Sequence, residues 1–175
     1  SGAVSTLTGK GGLDPDKWIN LTYFTDESGF SKKIFPIDEP GLVWADGFIT
    51  VKDTQGKERM LCHFARMKDL GHFHEKGIGL YNDTRQCFEP IFRNPEQTMP
   101  YHACGHPTPV LVNGVSYWYF AIPFPAAVRM RVEAVLSKAS DPNQYEVLTA
   151  LGQDSGKSAS RWIAFGKLAE RLGSR

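Results

Sequence analysis

The feature that most constrains this chain is an internal repeat with a shift of 127 residues. The segment Asp14–Thr22, DPDKWINLT, recurs as Asp141–Thr149, DPNQYEVLT, and the same shift places Glu27-Ser28-Gly29 on Asp154-Ser155-Gly156. Asp, Pro, an aromatic residue, Leu and Thr agree in one register. Because internal repeats mark repeated supersecondary units, we expect the chain to contain more than one copy of a small folding unit.

Between the two copies the sequence predicts two groups of four short strands. The first group comprises the apolar runs Phe48–Val51, Met60–Phe64, Ile78–Tyr81 and Cys87–Ile91, and the second comprises Pro109–Val112, Tyr117–Phe120, Val128–Val132 and Tyr145–Leu148. Asn113-Gly114 between two apolar runs is a strong hairpin signal. Repeated four-stranded antiparallel units are typical of β-propeller blades. The predicted fold class is therefore all-β, with propeller blades in a ring that this chain does not complete.

The predicted boundaries treat residues 1–175 as one part of a propeller. Residues 13–24 are expected to be the last strand of a preceding blade, and residues 43–92 and 106–150 to be whole blades. Residues 152–175 are either the start of a further blade or a C-terminal helix. The helical alternative arises from apolar residues at helical spacing, namely Trp162, Phe165, Leu168 and Leu172.

Composition excludes some classes of partner. The chain has 20 Lys and Arg against 19 Asp and Glu, a formal net charge of +1. Nucleic acids and anionic membranes are bound through clustered positive charge, so neither is an expected partner. No apolar run reaches the length of about 18 residues that a membrane-spanning helix needs. Of the three cysteines, Cys62 and Cys87 lie in apolar runs and are expected to be buried thiols.

The order of elements in the second unit carries a resemblance to a known family. An apolar strand, the Asn113-Gly114 turn, the Tyr117–Phe120 strand, a long loop, a strand, the Asp141-Pro142 turn and a Tyr145-Glu146 strand follow one another. This pattern resembles the five-bladed propellers of the arabinanase/xylosidase/invertase-like glycoside hydrolases, over residues 13–150. The resemblance implies a carbohydrate partner, hydrolase-like activity, a secreted or periplasmic location, and a ring closed by another copy or by a missing chain segment.

Three acidic residues are candidates for catalysis. Glycoside hydrolysis needs two carboxylates that face each other across the scissile bond. Asp46 opens an apolar strand at the place where the resembled enzymes present an acidic residue, and Glu39 and Glu75 lie in long loops as its candidate partners. The alternative is that Asp46 caps a turn and that the two glutamates are solvated loop charges.

The long loops at residues 25–45, 66–76 and 93–107 also supply the candidate binding residues, because binding groups concentrate on long loops. Arg66 and Lys68 would grip an acidic sugar, unless they form salt bridges with Asp69 or Glu75 instead. The remaining candidates are His72 and His106, which would position substrate, and Trp44 and Tyr101, which would stack on sugar rings or simply cover the blade tops.

Histidines in these loops raise a third class of function. His72 and His74 would point to one side of an extended segment, and with His102 they would form a divalent-metal site. No other cofactor is expected. The competing functions are therefore a carbohydrate-directed, glycoside hydrolase-like propeller, a non-catalytic module that binds sugar or protein, and a His-rich metal-binding β protein.

Overall fold

Antiparallel strands form nearly all of the regular structure. The computed structural model describes residues 1–7, 14, 16–95, 103–122, 128–151 and 159–164. In these ranges the one α-helix, α1 (Leu136–Ala139), is a single turn. All pairings between strands are antiparallel, and none of the described sheets closes on itself. The all-β prediction is confirmed, and the open sheets agree with an incomplete ring.

The first large sheet contains four strands in chain order. They are β3 (Leu42–Lys52), β4 (Glu58–Met67), β5 (Phe73–Asn82) and β6 (Cys87–Asn94). Tight turns connect them because short polar side chains satisfy the turn backbone: the Asp53 carboxylate accepts hydrogen bonds from the N–H groups of Gln55 and Lys57, each at 2.9 Å. The segment predicted as a blade at 43–92 is therefore a four-stranded antiparallel sheet.

The second large sheet is also antiparallel, but it contains five strands instead of four. Its strands, also in chain order, are β7 (Thr108–Val112), β8 (Val115–Ile122), β9 (Val128–Glu133), β10 (Glu146–Leu151) and β11 (Ala159–Ala164). The predicted Asn113-Gly114 hairpin is confirmed, with positive φ angles of 49° and 81° at the two residues. A 3₁₀ turn, Pro142–Gln144, leads into β10.

The two ends of the chain differ from the predicted boundaries. β2 (Leu21–Tyr23) pairs with β1 (Ala3–Ser5) in a separate two-stranded ribbon, so in the described structure it adds a strand to neither large sheet. Near the other end, Trp162 lies in β11, which pairs with β10 rather than opening a separate sheet. Phe165, Leu168 and Leu172 lie outside the described residues.

The core has two parts, one on each face of the first sheet. One face packs against the second sheet, through Ile49, Val51, Leu61 and Ile78 on one side and Phe120, Met130, Val132 and Val147 on the other. Phe35, from the segment before β3, covers the opposite face and packs on Cys62, Phe64 and Phe88. The predicted burial of Cys62 and Cys87 is confirmed. Both faces of this sheet are therefore covered, which explains its nearly continuous apolar strands.

Candidate functional site

An open groove lies at the end of the first sheet where β3 begins and β4 ends. It has a volume of about 520 Å³, and its apolar wall is formed by Leu42, Trp44, Met67 and Leu70. Leu42 and Trp44 are two residues apart on β3 and share a face with Met67, the register partner of Leu42. The Trp44 side chain is half exposed, at 48%. The structure thus places the predicted stacking residue Trp44 in a groove, with nearly half of its surface accessible.

The polar rim of this groove is formed by the β4–β5 loop. Lys68 and Asp69 line the groove, and the exposed His72 places Nδ1 at 2.8 Å from Oδ1 of Asp69. Asp69 also accepts hydrogen bonds from the N–H groups of Gly71 and His72, at 2.9 and 3.0 Å. The Gly71 N–H, followed by the His72 side chain, lowers the pKa of Asp69, so its carboxylate is ionised. Of the predicted binding residues, Lys68 therefore lines the groove together with Trp44, and His72 contacts the groove residue Asp69.

A buried ion cluster occupies the other face of the sheet at this end. Glu75, almost fully buried, accepts hydrogen bonds from Nε of Arg66 at 2.6 Å and from Nε of Arg93 at 2.7 Å. Arg93 also contacts Glu39 at 2.8 Å, and Arg66 donates to the Pro40 carbonyl oxygen. The cluster fixes the segment that contains Glu39 and Pro40 to the sheet. Arg66 is thus engaged in the salt bridge with Glu75 that the sequence left as an alternative to substrate binding.

The electrostatics of this cluster do not suit a general acid. Hydrogen bonds from the Arg93 side chain are the main cause of a lowered pKa at Glu75 and also at Glu39. A catalytic acid needs the opposite shift, because it must hold a proton near neutral pH. The Arg93 guanidinium also lies between the two carboxylates, in the space where a scissile bond would have to fit. These contacts favour a structural role for both glutamates.

Asp46 stabilises a β-bulge. The strand register shifts between Asp46 and Ile49, and Gly47 in the bulge has a φ of 58°. The Asp46 carboxylate accepts hydrogen bonds from the Gly47 N–H at 2.7 Å and from the Gly105 N–H at 2.9 Å. It thereby attaches the segment before β7 to β3. This is the turn-capping alternative that the sequence left open for Asp46.

The predicted carboxylates are not brought together as a facing pair. Asp46 is the register partner of His63 and shares its face, whereas Glu75 is the partner of Arg66. His63 and Arg66 are three residues apart on a regular stretch of β4, so their side chains lie on opposite faces. Asp46 is therefore separated from Glu75 by the sheet itself, and the structure brings only Glu39 and Glu75 close to each other.

A second buried polar contact joins the two large sheets. His63 Nε2 lies 2.8 Å from the Tyr145 hydroxyl, and Nδ1 lies 3.1 Å from the Gly47 carbonyl oxygen. The Tyr145 hydroxyl also lies 2.9 Å from the Ala139 carbonyl oxygen. Burial lowers the pKa of His63 to about 4, so the imidazole is neutral at pH 7. Burial also raises the pKa of Tyr145. These residues link the sheets and are not accessible to a ligand.

The other predicted residues are dispersed. His106 is exposed and directly follows Gly105, and His74 lies within β5 beside Gly41. Tyr101 and His102 lie outside the described residues. In the part of the chain that is described, no three His, Cys, Asp or Glu side chains come together as a metal site. The metal prediction that combined His72 and His74 with His102 therefore stays a prediction.

Sequence reasoning missed several residues that the structure makes important. Leu42 and Leu70 form the groove wall with Trp44, and Arg93 holds two glutamates. Leu42 and Leu70 are apolar residues that are exposed in the structure. The sequence alone did not indicate a groove wall, because only the register of the strands brings these residues together. Arg93 could have been found as a cation at the end of an apolar strand, but its partners depend on the pairing of β5 with β6.

Comparison of the chain with protein-family models, with curated proteins and with solved structures finds no match to any of them. In the described ranges, no helix is long and apolar enough to span a bilayer. The geometry of the groove and of the charged residues around it is therefore the basis for assigning a function.

Proposed function

We propose that this protein binds carbohydrate without cleaving it, through the groove at the end of the first sheet. The observation that carries the proposal is the half-exposed Trp44 side chain in a groove that also contains the apolar Leu42 and Leu70 and the charged Lys68 and Asp69. Apolar surface with a few polar groups at its edge is the usual composition of a small-molecule site.

The chemistry of the groove matches that of a sugar. A pyranose ring has an apolar face of C–H groups, which packs on an aromatic ring, and an edge of hydroxyl groups, which needs hydrogen-bond partners. Trp44 offers the ring, Lys68 offers N–H donors, and the ionised Asp69 offers acceptors. The resemblance to glycoside hydrolase propellers supports the same class of ligand, and we retain an open propeller as the proposed architecture.

The positions of the carboxylates favour binding over hydrolysis. Glu39 and Glu75 hold an arginine between them, and Asp46 lies on the other face of the sheet from Glu75. None of these pairs leaves two free carboxylates on either side of a bound sugar. The groove itself contains one carboxylate, that of Asp69.

A glycan screen followed by titration tests the proposal. Trp44→Ala should weaken binding of any glycan that the protein retains by at least about tenfold, because about 1.4 kcal/mol of ring contact is lost. Trp18→Ala is the matched control, since Trp18 is also exposed but is not among the residues that line the groove. No binding across the panel would contradict the proposal, and so would glycan cleavage that Asp46→Asn abolishes.

A further inference from the structure

The two copies of the internal repeat begin with the same turn. Oδ1 of Asp14 accepts a hydrogen bond from the Asp16 N–H at 3.0 Å, and Oδ1 of Asp141 accepts one from the Asn143 N–H at 2.9 Å. The carbonyl oxygens of the same aspartates accept from residues three positions on, at 3.1 and 3.0 Å. The two copies therefore share the hydrogen bonds of this turn, and they diverge at the next residue, where Trp18 has a φ of 62° and Tyr145 a φ of −74°.

After this shared turn the two copies have different surroundings. In the second copy, Tyr145 is 2% exposed and β10 lies between two neighbouring strands, β9 and β11. In the first copy, the equivalent residue Trp18 is 83% exposed, and β2 has only β1 as a neighbour within the described structure. The aromatic residue that is buried in the second copy is thus on the surface in the first copy.

The first copy is also rich in exposed apolar side chains. Trp18, Ile19, Leu21 and Tyr23 are all exposed, and so is Val4 on the paired strand. A two-stranded ribbon of three-residue strands is marginally stable in water by itself. An exposed strand edge with apolar side chains is a site of association. This ribbon, defined by β1, β2 and Trp18, therefore offers a strand edge and apolar side chains to a partner.

The edge of β2 that faces away from β1, next to which no described strand lies, is complementary to itself. The Phe24 N–H donates to the Gly2 carbonyl oxygen at 2.9 Å, and Thr22 is paired with Val4 in the same register. Because hydrogen-bonded pairs alternate along an antiparallel ladder, the backbone groups of Thr22 point toward β1 and those of Leu21 and Tyr23 point away from it. Two such edges fit antiparallel, with Leu21 of one chain opposite Tyr23 of the other.

The geometry points to a symmetric dimer in which β2 of one protomer pairs with β2 of its partner about a twofold axis at Thr22. The two ribbons then form one four-stranded antiparallel sheet of short strands. Leu21 exchanges both backbone hydrogen bonds with Tyr23 of the partner subunit, and their side chains become cross-strand neighbours on one face of the new sheet. Such isologous contacts are the commonest form of homo-oligomer. This inference is independent of the proposed sugar binding.

Mass measurement of the purified chain in solution tests the dimer. The intact chain should have twice the 19.5 kDa mass of one protomer at high concentration. Tyr23→Pro should return it to a monomer, because proline removes the outward N–H of residue 23 and leaves the inward pairing of Thr22 with Val4 unchanged. Leu21→Lys should raise the dimer dissociation constant at least about tenfold.

A control variant and a second measurement distinguish this contact from non-specific association. Leu111→Ser removes a similarly exposed apolar residue from β7 and should leave the dimer intact. Amide exchange should show protection of the Leu21 and Tyr23 N–H groups that rises with concentration, whereas the Thr22 N–H is protected in both states. A monomeric intact chain would overturn the proposal, as would a dimer that Tyr23→Pro, folded by circular dichroism, leaves unchanged.

Discussion

His63 is a neutral histidine that links the two sheets, with one ring nitrogen at the Tyr145 hydroxyl and the other at the Gly47 carbonyl oxygen. Protonation would place a charge between the sheets, where water cannot solvate it. Folding therefore lowers the pKa of His63 from its ordinary value of 6.5 to about 4. The unfolded chain binds this proton more readily than the native chain does.

This difference in pKa predicts an acid-sensitive stability. The contribution of neutral His63 is complete above pH 6.5 and is lost as the pH falls toward 4, by about 3 kcal/mol of unfolding free energy. Denaturant unfolding at a series of pH values measures this slope. His63→Gln should flatten the slope between pH 6.5 and 4, whereas His106→Gln, at an exposed histidine, should retain it. An unchanged slope in His63→Gln would contradict the assignment.

The ion cluster predicts that substitutions of two glutamates in the same sheet lower the unfolding free energy by very different amounts. Glu75→Gln leaves Arg66 and Arg93 without their buried countercharge, and we expect a loss of about 3 kcal/mol of unfolding free energy. Glu89→Gln is the matched control, because the Arg85–Glu89 pair is largely exposed and should cost less than about 1 kcal/mol. Equal losses of unfolding free energy, measured by thermal or denaturant unfolding, would show that burial does not determine how much the cluster contributes to stability.

At the scale of elements, the sequence predicted the positions of the strands well. It predicted poorly which strands pair with each other at the two ends of the chain. Period-two alternation in Val128–Val132 and the Asn113-Gly114 turn predict β9 and the β7–β8 hairpin as they are found. The bulge after Asp46 was not predictable, because it depends on the contact of its carboxylate with Gly105, far along the chain. The Arg66–Glu75 salt bridge was one of two alternatives in the sequence, whereas the position of Arg93 beside it follows only when three strands are in register.

The packing around β5 predicts that one position in this strand accepts only glycine. A Cβ atom added at Gly77 would overlap the Phe92 carbonyl oxygen and lie 2.5 Å from Cε1 of Phe64. Gly77→Ala should therefore lower the unfolding free energy by roughly 3 kcal/mol. Gly71→Ala, where the nearest atom is 3.7 Å away, should change it by less than about 0.5 kcal/mol. Denaturant unfolding of both variants makes the comparison, and a tolerated alanine at position 77 would contradict the packing of Phe64 across β5.

At the scale of the whole molecule, two open sheets share one core and leave one end of the first sheet free for the groove. The Trp118 indole donates to the Thr50 carbonyl oxygen at 2.9 Å, and the Lys52 N–H donates to the Ala134 carbonyl oxygen, so the two sheets are also joined by hydrogen bonds. These contacts hold β3 in place along its second half. Its first half, which contains Leu42 and Trp44, extends beyond them and forms the groove wall.

The most direct test of the account uses the indole N–H signals of the four tryptophans in a two-dimensional NMR spectrum. Titration with a glycan selected by binding should shift the Trp44 signal, assigned with Trp44→Phe. The signal of Trp118 should stay in place, because its indole N–H is bonded between the sheets. Binding that shifts the signals of Trp18 or Trp162 and leaves that of Trp44 unchanged would contradict the proposed site.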